Sequence, residues 1–428
     1  MKDRIGSVRQ LKYSFVTVFR TSLLFLIFLF LTGCNTPNSS SLQNSSSSQT
    51  PQPDQTQIFA NVLATANASI QQTILPENTE ITMQVAELSE TNIQDTELPA
   101  PTPDPNRTPP ALPATFTTDL LNKLDTPHTY IADTCEFLKN RWSAGKAEPG
   151  TVVMVVMYHS IVQGDESSVT LDNQISSEKN KQIAADLYNQ GFTAIDTTQF
   201  INFMKYNDYI PPRSVLLIVD DRHHGSYFAD HFLPFYQQYG WKVINGWISS
   251  DDTTQELWDE NAQVEAEGYV DHQAHGVVHN ENMTDASSDE FIYNELKGSI
   301  DRIQQHFGKI PKAIIWPGGN FGFRPIEIAK ELGYEVGFTV SPRGPVMYNW
   351  VPLCDETDPA RPSYLADGLQ DPLFVIPRYW DTDVSQHIDT VRQIGKAAKE
   401  QILANRETEL EYYDIVCKPK LGELGVQP

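Results

Sequence analysis

Residues 215–221 read VLLIVDD, and this stretch decides the fold class of the chain. Five consecutive apolar side chains predict a strand that is buried on both faces, as in a parallel sheet. Asp220 and Asp221 follow at once, and adjacent residues of an extended strand point to opposite sides. Because ligands of parallel α/β folds meet the carboxyl ends of the strands, we expect the two carboxylates to have separate functional roles. Capping of the following helix by one of them is the alternative.

Similar apolar runs alternate with amphipathic helical segments from residue 151 to the C-terminal region. About eight short strands of this kind over about 260 residues predict an α/β fold, a distorted (β/α) barrel of seven or eight strands. A doubly wound open sheet is the alternative. Residues 341–373 lack periodicity and are rich in proline, which indicates a long loop near the cleft, either a lid or a substrate wall.

The first 33 residues are typical of an export signal, because a basic start precedes the apolar core of residues 23–31. This core is shorter than the roughly 20 apolar residues of a membrane span, although an uncleaved anchor remains the alternative. Leu31-Thr32-Gly33-Cys34 resembles the lipobox of bacterial lipoproteins. That resemblance implies a lipidated Cys34 and an extracytoplasmic protein that is anchored to the cell envelope.

The composition divides the rest of the chain into three parts. Residues 34–115 are rich in Ser, Asn, Gln and Pro and predict a disordered tether. Residues 116–150 predict a helical extension, and residues 151–428 predict the main globular domain. The formal net charge of −24 argues against a nucleic-acid partner, which needs basic side chains against phosphate.

Three cysteines remain after Cys34, namely Cys135, Cys354 and Cys417. An exported protein permits disulfides, and three thiols allow three different single pairs. The sequence does not choose among them. None of the three has a neighbour in CxxC spacing, so no cysteine metal site is expected.

Histidines supply the second chemical signal. His275 and His279 are four residues apart, so on a helical turn both rings reach the same side and can bind one metal ion. One of the carboxylates of Asp220 and Asp221 can serve as a third ligand and the other as a base. Together with the two histidines, they provide the groups that metal-assisted hydrolysis needs. His159 follows the apolar run 152–157 and is a candidate acid, although a packed structural histidine is the alternative.

Glycine marks another strand end. Residues 316–319 read WPGG, and the Gly318 N–H is a candidate donor to a developing oxyanion, with a plain turn as the alternative.

Over roughly residues 150–410, the order of these segments resembles the polysaccharide deacetylase family, the NodB-like carbohydrate esterases. The match of residues 218–222 to the family's first motif implies that Asp220 is the general base and Asp221 a metal ligand. The second motif makes His275 and His279 the other ligands, and the third assigns the oxyanion donor to Gly318.

The family's usual closing histidine motif is absent. Instead, residues 157–161 are similar to the opening Tyr-His motif of a permuted branch that includes poly-N-acetylglucosamine deacetylases, which makes His159 the acid. Residues 376–378 resemble the late Pro-Arg segment of that branch, and Arg378 would hold Asp220 ionised. Arg222 stands where the first motif has glycine, and Trp316 where the third has arginine.

The resemblance implies a divalent metal ion, for which a His2Asp set suits zinc, while cobalt, nickel or manganese also fit. The implied reaction removes N-acetyl groups from a cell-surface or extracellular polysaccharide or oligosaccharide. A non-catalytic glycan-binding lipoprotein and an O-acetyl esterase are the alternatives. Three aromatic side chains are candidates for stacking on sugar rings, with a core role as the alternative: Trp316, Tyr379 and Trp380. The oligomeric state is left open.

Overall fold

The structure is a computed structural model that describes residues 107–278 and 281–425. The predicted signal peptide, Cys34, most of the predicted tether and His279 lie outside the described residues. Within the described residues, no helix has both the length and the apolar character needed to cross a membrane.

The strands are β1 (Thr126–His128), β2 (Val152–Tyr158), β3 (Ser160–Val162), β4 (Gln174–Ser176), β5 (Thr193–Ala194), β6 (Arg213–Asp220), β7 (Val243–Trp247), β8 (Val270–Ala274), β9 (Ala313–Ile315), β10 (Val336–Phe338), β11 (Val351–Leu353) and β12 (Tyr379–Trp380). The α-helices are α1 (Thr134–Trp142), α2 (Ser177–Asn189), α3 (Thr197–Tyr206), α4 (Gly225–His231), α5 (Leu233–Tyr239), α6 (Gln255–Ala266), α7 (Asp289–Phe307), α8 (Phe323–Glu331), α9 (Ile388–Ala404), α10 (Arg406–Tyr412) and α11 (Lys418–Leu421).

The main sheet is parallel and has the strand order β10-β9-β8-β7-β6-β2-β12, with β5 added beside the start of β6. Strand β2 is buried along its whole length. Its side chains alternate between two hydrophobic clusters, with Val153 and Val155 in one and Val152, Met154 and Val156 in the other. Strand β2 is therefore covered on both faces, as its continuous apolar run predicted.

The two ends of this strand order meet at residues 376–381. Ile376 bonds to the backbone on both sides of Phe338, donating to Gly337 at 2.8 Å and accepting from Thr339 at 2.9 Å. A few residues later, Asp381 N–H donates to the Met157 carbonyl at 3.0 Å. The sheet thus curls into the distorted (β/α) barrel that the sequence predicted, and not into the open doubly wound sheet.

Two elements differ from the sequence prediction. The apolar pattern of residues 227–239 predicts a single helix, but the chain forms two short helices on either side of Phe232, because Pro234 lacks an N–H donor. The apolar residues 374–376 predict a strand, and this prediction is also wrong. A 3-10 turn occupies Pro372–Phe374, and the strand forms later, as β12.

The N-terminal and C-terminal parts of the described chain are joined covalently. Cys135 in α1 forms a disulfide with Cys417, and Cys354 is buried as a free thiol. Strand β1 pairs antiparallel with β11, which lies in the segment that was expected to be a loop. Arg107 forms ion pairs with Glu411 and Asp414, close to the C-terminal end of the described residues.

Candidate active site

Four strand ends place the predicted site residues at one edge of the barrel. Strand β6 ends at Asp220, and β2 ends one residue before His159. Strand β8 ends one residue before His275, and β9 leads into the Pro317–Gly319 turn. All of these strands are parallel, so their carboxyl ends lie at the same edge.

Asp220 is held by a buried arginine. Arg378 donates from Nη1 to Oδ1 at 2.6 Å and from Nη2 to Oδ2 at 2.9 Å, and neither side chain is appreciably exposed. Burial by itself would raise the pKa of Asp220, but the Arg378 charge is the largest opposing effect and the pKa falls to about 2. The carboxylate is therefore ionised at neutral pH and can accept a proton.

Asp221 points elsewhere because its backbone turns. Its φ is 73°, in the left-handed region that few residues other than glycine adopt. The Asn245 side-chain amide donates to the Asp221 carbonyl at 2.9 Å and supports this turn. Asp221 Oδ1 consequently lies 3.8 Å from His275 Nε2, and the two adjacent carboxylates have different neighbours.

The ring of His275 is oriented by a backbone carbonyl. Its Nδ1 lies 2.7 Å from the Ile315 oxygen, which only accepts hydrogen bonds. Nδ1 must therefore carry a proton, and Nε2 is the ring nitrogen that faces Asp221. This arrangement is typical of a metal-ligating histidine, whose other nitrogen donates to a carbonyl or carboxylate.

The pair formed by Asp221 and His275 fits the ion that the resemblance implies. Zinc lies about 2.0–2.2 Å from carboxylate oxygen and imidazole nitrogen, so donors 3.8 Å apart can share one ion. Among the described residues, no group of three potential ligand side chains is assembled. The third predicted ligand, His279, is not among those residues.

His159 lies beside Asp220. Its Nε2 is 3.9 Å from Asp220 Oδ2, and its ring stacks on Trp380 with a centroid distance of 5.3 Å. Burial lowers the pKa of His159, and this effect exceeds the opposing one of the Asp220 charge. The ring is therefore mainly neutral at pH 7.

Asp381 is a site residue that the sequence reasoning missed. It is fully buried, and burial raises its pKa to about 8 although the backbone N–H groups of Thr382 and His159 act in the opposite direction. The Asp220 charge adds to the increase. The available signal was its position, since it follows Arg378 by three residues at the carboxyl end of β12.

Gly318 occupies a tight turn in which a side chain would not fit. Its φ is +59°, and an added Cβ would lie 2.5 Å from Asn282 Oδ1. The preceding Pro317 lies against Gly276, so the turn borders the segment that carries His275. Only glycine combines this backbone conformation with the space available.

A family model matches part of the chain. Residues 208–337 match the family model described as polysaccharide deacetylase. This deacetylase segment contains Asp220, Asp221, His275 and Gly318, while His159 and Arg378 lie outside it. No curated protein matches the chain.

Three solved structures are among those similar to the chain. The Streptococcus pyogenes deacetylase PplD in complex with acetate has 18% identity, with coverage of 56% of this chain and 99% of that chain and a TM-score of 0.44. A de-N-acetylase from Aggregatibacter actinomycetemcomitans has 17% identity and a TM-score of 0.40, and the match covers 53% of this chain and 94% of that chain. IcaB from Ammonifex degensii has 14% identity and a TM-score of 0.43, and the match covers 59% of this chain and 99% of that chain.

The two departures from the motifs of the deacetylase family have local explanations. Arg222 needs no glycine-like backbone, because the left-handed residue of this turn is Asp221. The Arg222 side chain extends to Asp252 at 2.7 Å and to Thr253 at 2.8 Å. At the third motif, Trp316 takes the place of an arginine, and the guanidinium that contacts Asp220 comes from Arg378.

The aromatic candidates for sugar stacking are mostly in the core. Trp316 is fully buried, with its Nε1–H donating to the Phe374 carbonyl at 2.7 Å, and Tyr379 is also buried. Neither can meet a sugar ring. Trp380 is half-buried against His159 and is the one of the three candidates with an exposed part.

Proposed function

We propose that this chain is a metal-dependent hydrolase that removes N-acetyl groups from a cell-surface or extracellular glycan. The observation that carries the proposal is the placement of Asp220 between Arg378 and His159, next to the pair of Asp221 and His275. This arrangement combines an ionised base, a neighbouring imidazole and two potential metal ligands at one edge of the barrel. The deacetylase segment supports the same reaction class.

The metal would be held by Asp221 and His275, together with His279, and it would supply Lewis-acid activation of water and of the acetyl oxygen. We expect zinc from the mixed carboxylate and imidazole ligands. Asp220 remains ionised beside Arg378 and accepts the proton of the attacking water. The Gly318 N–H is the proposed donor to the oxyanion that forms on the acetyl carbonyl.

His159 has to gain a proton before it can act as an acid, because its lowered pKa keeps the ring neutral at pH 7. Asp220 Oδ2, 3.9 Å from His159 Nε2, is placed to deliver the proton that it takes from water. His159 then protonates the departing nitrogen. The carbon–nitrogen bond breaks, and acetate and a free amino sugar are released.

Acetate release from N-acetylglucosamine oligomers tests this proposal. The full-length chain is assayed with zinc, cobalt or nickel, beside Asp220→Asn and the exposed control Asp172→Asn. We expect release that depends on the metal, is lost in Asp220→Asn and is retained in Asp172→Asn. If acetate is released only from O-acetylated sugars, the O-acetyl esterase is correct.

Absence of release from both kinds of sugar, with metal bound, would favour the glycan-binding alternative. Arg222→Gly would then show whether the residue at the motif's glycine position is the cause.

The proposed cellular location depends on the first 34 residues. We propose that Cys34 carries lipid and anchors the chain to the cell envelope outside the cytoplasm. Metabolic labelling with a fatty acid, lost in Cys34→Ala, is the expected result. Labelling that persists in Cys34→Ala would contradict it.

A further inference from the structure

One face of helix α7 is fitted to the turn that follows His275. Three residues form this face, namely Glu295, Gly298 and Ser299, which lie within about one turn of the helix. Glu295 and Ser299 are buried. A glutamate is rarely buried unless its carboxylate is paired. The partners of both polar side chains are backbone groups of residues 276–278.

Glu295 accepts hydrogen bonds from two consecutive N–H groups of this turn. Its Oε2 lies 2.7 Å from the Val277 nitrogen and 3.0 Å from the Val278 nitrogen. Gly276, which begins the turn, has a φ of +79°, and an added Cβ there would lie 2.9 Å from Glu295 Oε2. Successive N–H groups in a turn form a concavity that binds an anion. The Glu295 carboxylate occupies this concavity.

The other two residues of the face complete the contact. The Gly276 carbonyl accepts from the Ser299 hydroxyl at 2.8 Å and from the Ser249 N–H at 2.9 Å. A Cβ at Gly298 would lie 2.8 Å from Val277 Cγ2. Glycine lowers stability inside a helix, but at this position it lets the turn approach the helix closely. The face therefore fits the turn both in hydrogen bonding and in shape.

The burial of Glu295 indicates that its carboxylate serves the turn and not the hydrophobic core. The residue is 2% exposed, and among the described residues its side chain accepts hydrogen bonds from Val277 and Val278 without a cationic partner. A carboxylate buried without a cation is costly. An apolar side chain would avoid that cost, but it would not hold the two N–H groups of the turn.

The turn lies between the two histidines that are proposed to bind the metal. The ring of His275 is fixed by the Ile315 carbonyl, and His279 follows the turn in the sequence. We propose that Glu295 is a positioning residue, which holds the backbone of residues 276–278 in the conformation that lets both histidines bind one ion. Glu295 acts through the backbone and is not itself a ligand. This inference rests on the proposed function, because the metal site is part of it.

Zinc titration and amide hydrogen exchange of the full-length, metal-free chain test this role. Glu295→Ala removes the acceptor, and Glu295→Gln keeps the size of the side chain and one acceptor oxygen. Ile303→Ala is the matched control, because Ile303 is a buried core residue of the same helix. Its truncation lowers stability through a cavity and leaves the Glu295 carboxylate in place. Circular dichroism melting shows which variants fold, and Glu295→Gln decides if Glu295→Ala does not fold.

We expect Glu295→Ala to bind zinc about 10–100-fold more weakly than the wild type, as is typical when a residue that orients a metal ligand is replaced. The loss of affinity should be smaller in Glu295→Gln and absent in Ile303→Ala. Without metal, the amides of Val277 and Val278 should exchange faster in Glu295→Ala than in the wild type or in Ile303→Ala, because they lose their acceptor.

Wild-type zinc affinity in a folded Glu295 variant would overturn this role, as would unchanged exchange of the Val277 and Val278 amides. A wild type that binds no zinc would overturn the proposed metal site and this role together. Zinc binding that shows the expected losses, without any acetate release by the wild type, would support the role of Glu295 and count against the proposed hydrolase alone.

Discussion

Arg378 binds both carboxylate oxygens of Asp220, at 2.6 and 2.9 Å, although the two residues are 158 positions apart in the sequence. Arg378 also donates from Nε to the Thr339 carbonyl at 2.5 Å, which fixes the plane of the guanidinium. Bidentate pairs of this kind are stronger and more directional than a single ion pair. Arg378 thus sets both the charge and the orientation of the proposed base.

Replacement of Arg378 by methionine should impair the proposed reaction, because it raises the pKa of the proposed base, Asp220. Without the guanidinium, burial dominates and the pKa of Asp220 rises from about 2. Because the base must be ionised, we expect the acid limb of kcat/KM to move to higher pH. We expect kcat to fall about 10²-fold, within the range of about 10²–10⁴-fold that general acid–base catalysis typically contributes.

The dependence of kcat/KM on pH and the value of kcat, measured for Arg378→Met and Arg378→Lys, check this prediction. Lysine keeps a charge but not the bidentate geometry, so it should shift the acid limb less. An acid limb that stays in place in Arg378→Met would contradict the role of Arg378.

Removal of one proposed metal ligand should weaken metal binding strongly. We expect His275→Ala and His279→Ala each to reduce zinc affinity about 100-fold or more, since both rings are proposed to bind the ion directly. His224→Ala is the control, because His224 is exposed and contacts Glu260 instead. Calorimetric zinc titration measures the effect. Equal affinity in His275→Ala and His224→Ala would rule out the proposed site.

Asp381 should make stability depend on pH in the metal-free protein. Its pKa is raised to about 8 in the folded chain and lies near 3.8 when exposed, so between these values the folded state binds the extra proton. The free energy of unfolding should then fall by about 1.4 kcal/mol per pH unit from this group as pH rises.

Asp381→Asn removes the titrating group. The free energy of unfolding of this variant should therefore lack the fall with rising pH that Asp381 causes. Urea unfolding of both proteins from pH 4 to pH 8 measures the difference. Parallel stability curves for wild type and variant would show that Asp381 does not titrate in this range.

The disulfide should account for a measurable share of stability. It joins residues that are 282 positions apart, and loss of a native disulfide typically costs about 2–4 kcal/mol. We expect Cys135→Ser to lower the Tm, and a reducing agent to lower the Tm of the wild type but not of Cys135→Ser. Cys354→Ala, which removes the buried free thiol, should remain sensitive to the reducing agent. Insensitivity of the wild type to reduction would contradict the pairing.

The sequence by itself determined the parallel α/β fold class and the strand ends that carry polar residues. Runs such as residues 152–157 and 215–219 have no polar position and are short, so they predict strands that are covered on both faces. The chain direction then places the residues that follow each run, including Asp220 and His159, at one edge. Neither step requires knowledge of long-range contacts.

The tertiary structure decided which of these residues have partners and what their charges are. The spacing of Asp220 and Asp221 does not reveal that a left-handed turn aims them at Arg378 and His275. Sequence also could not choose Cys417 as the partner of Cys135, nor show that Asp381 is buried. Pairings and burial depend on how distant segments pack, and local patterns such as strand periodicity carry no information about that packing.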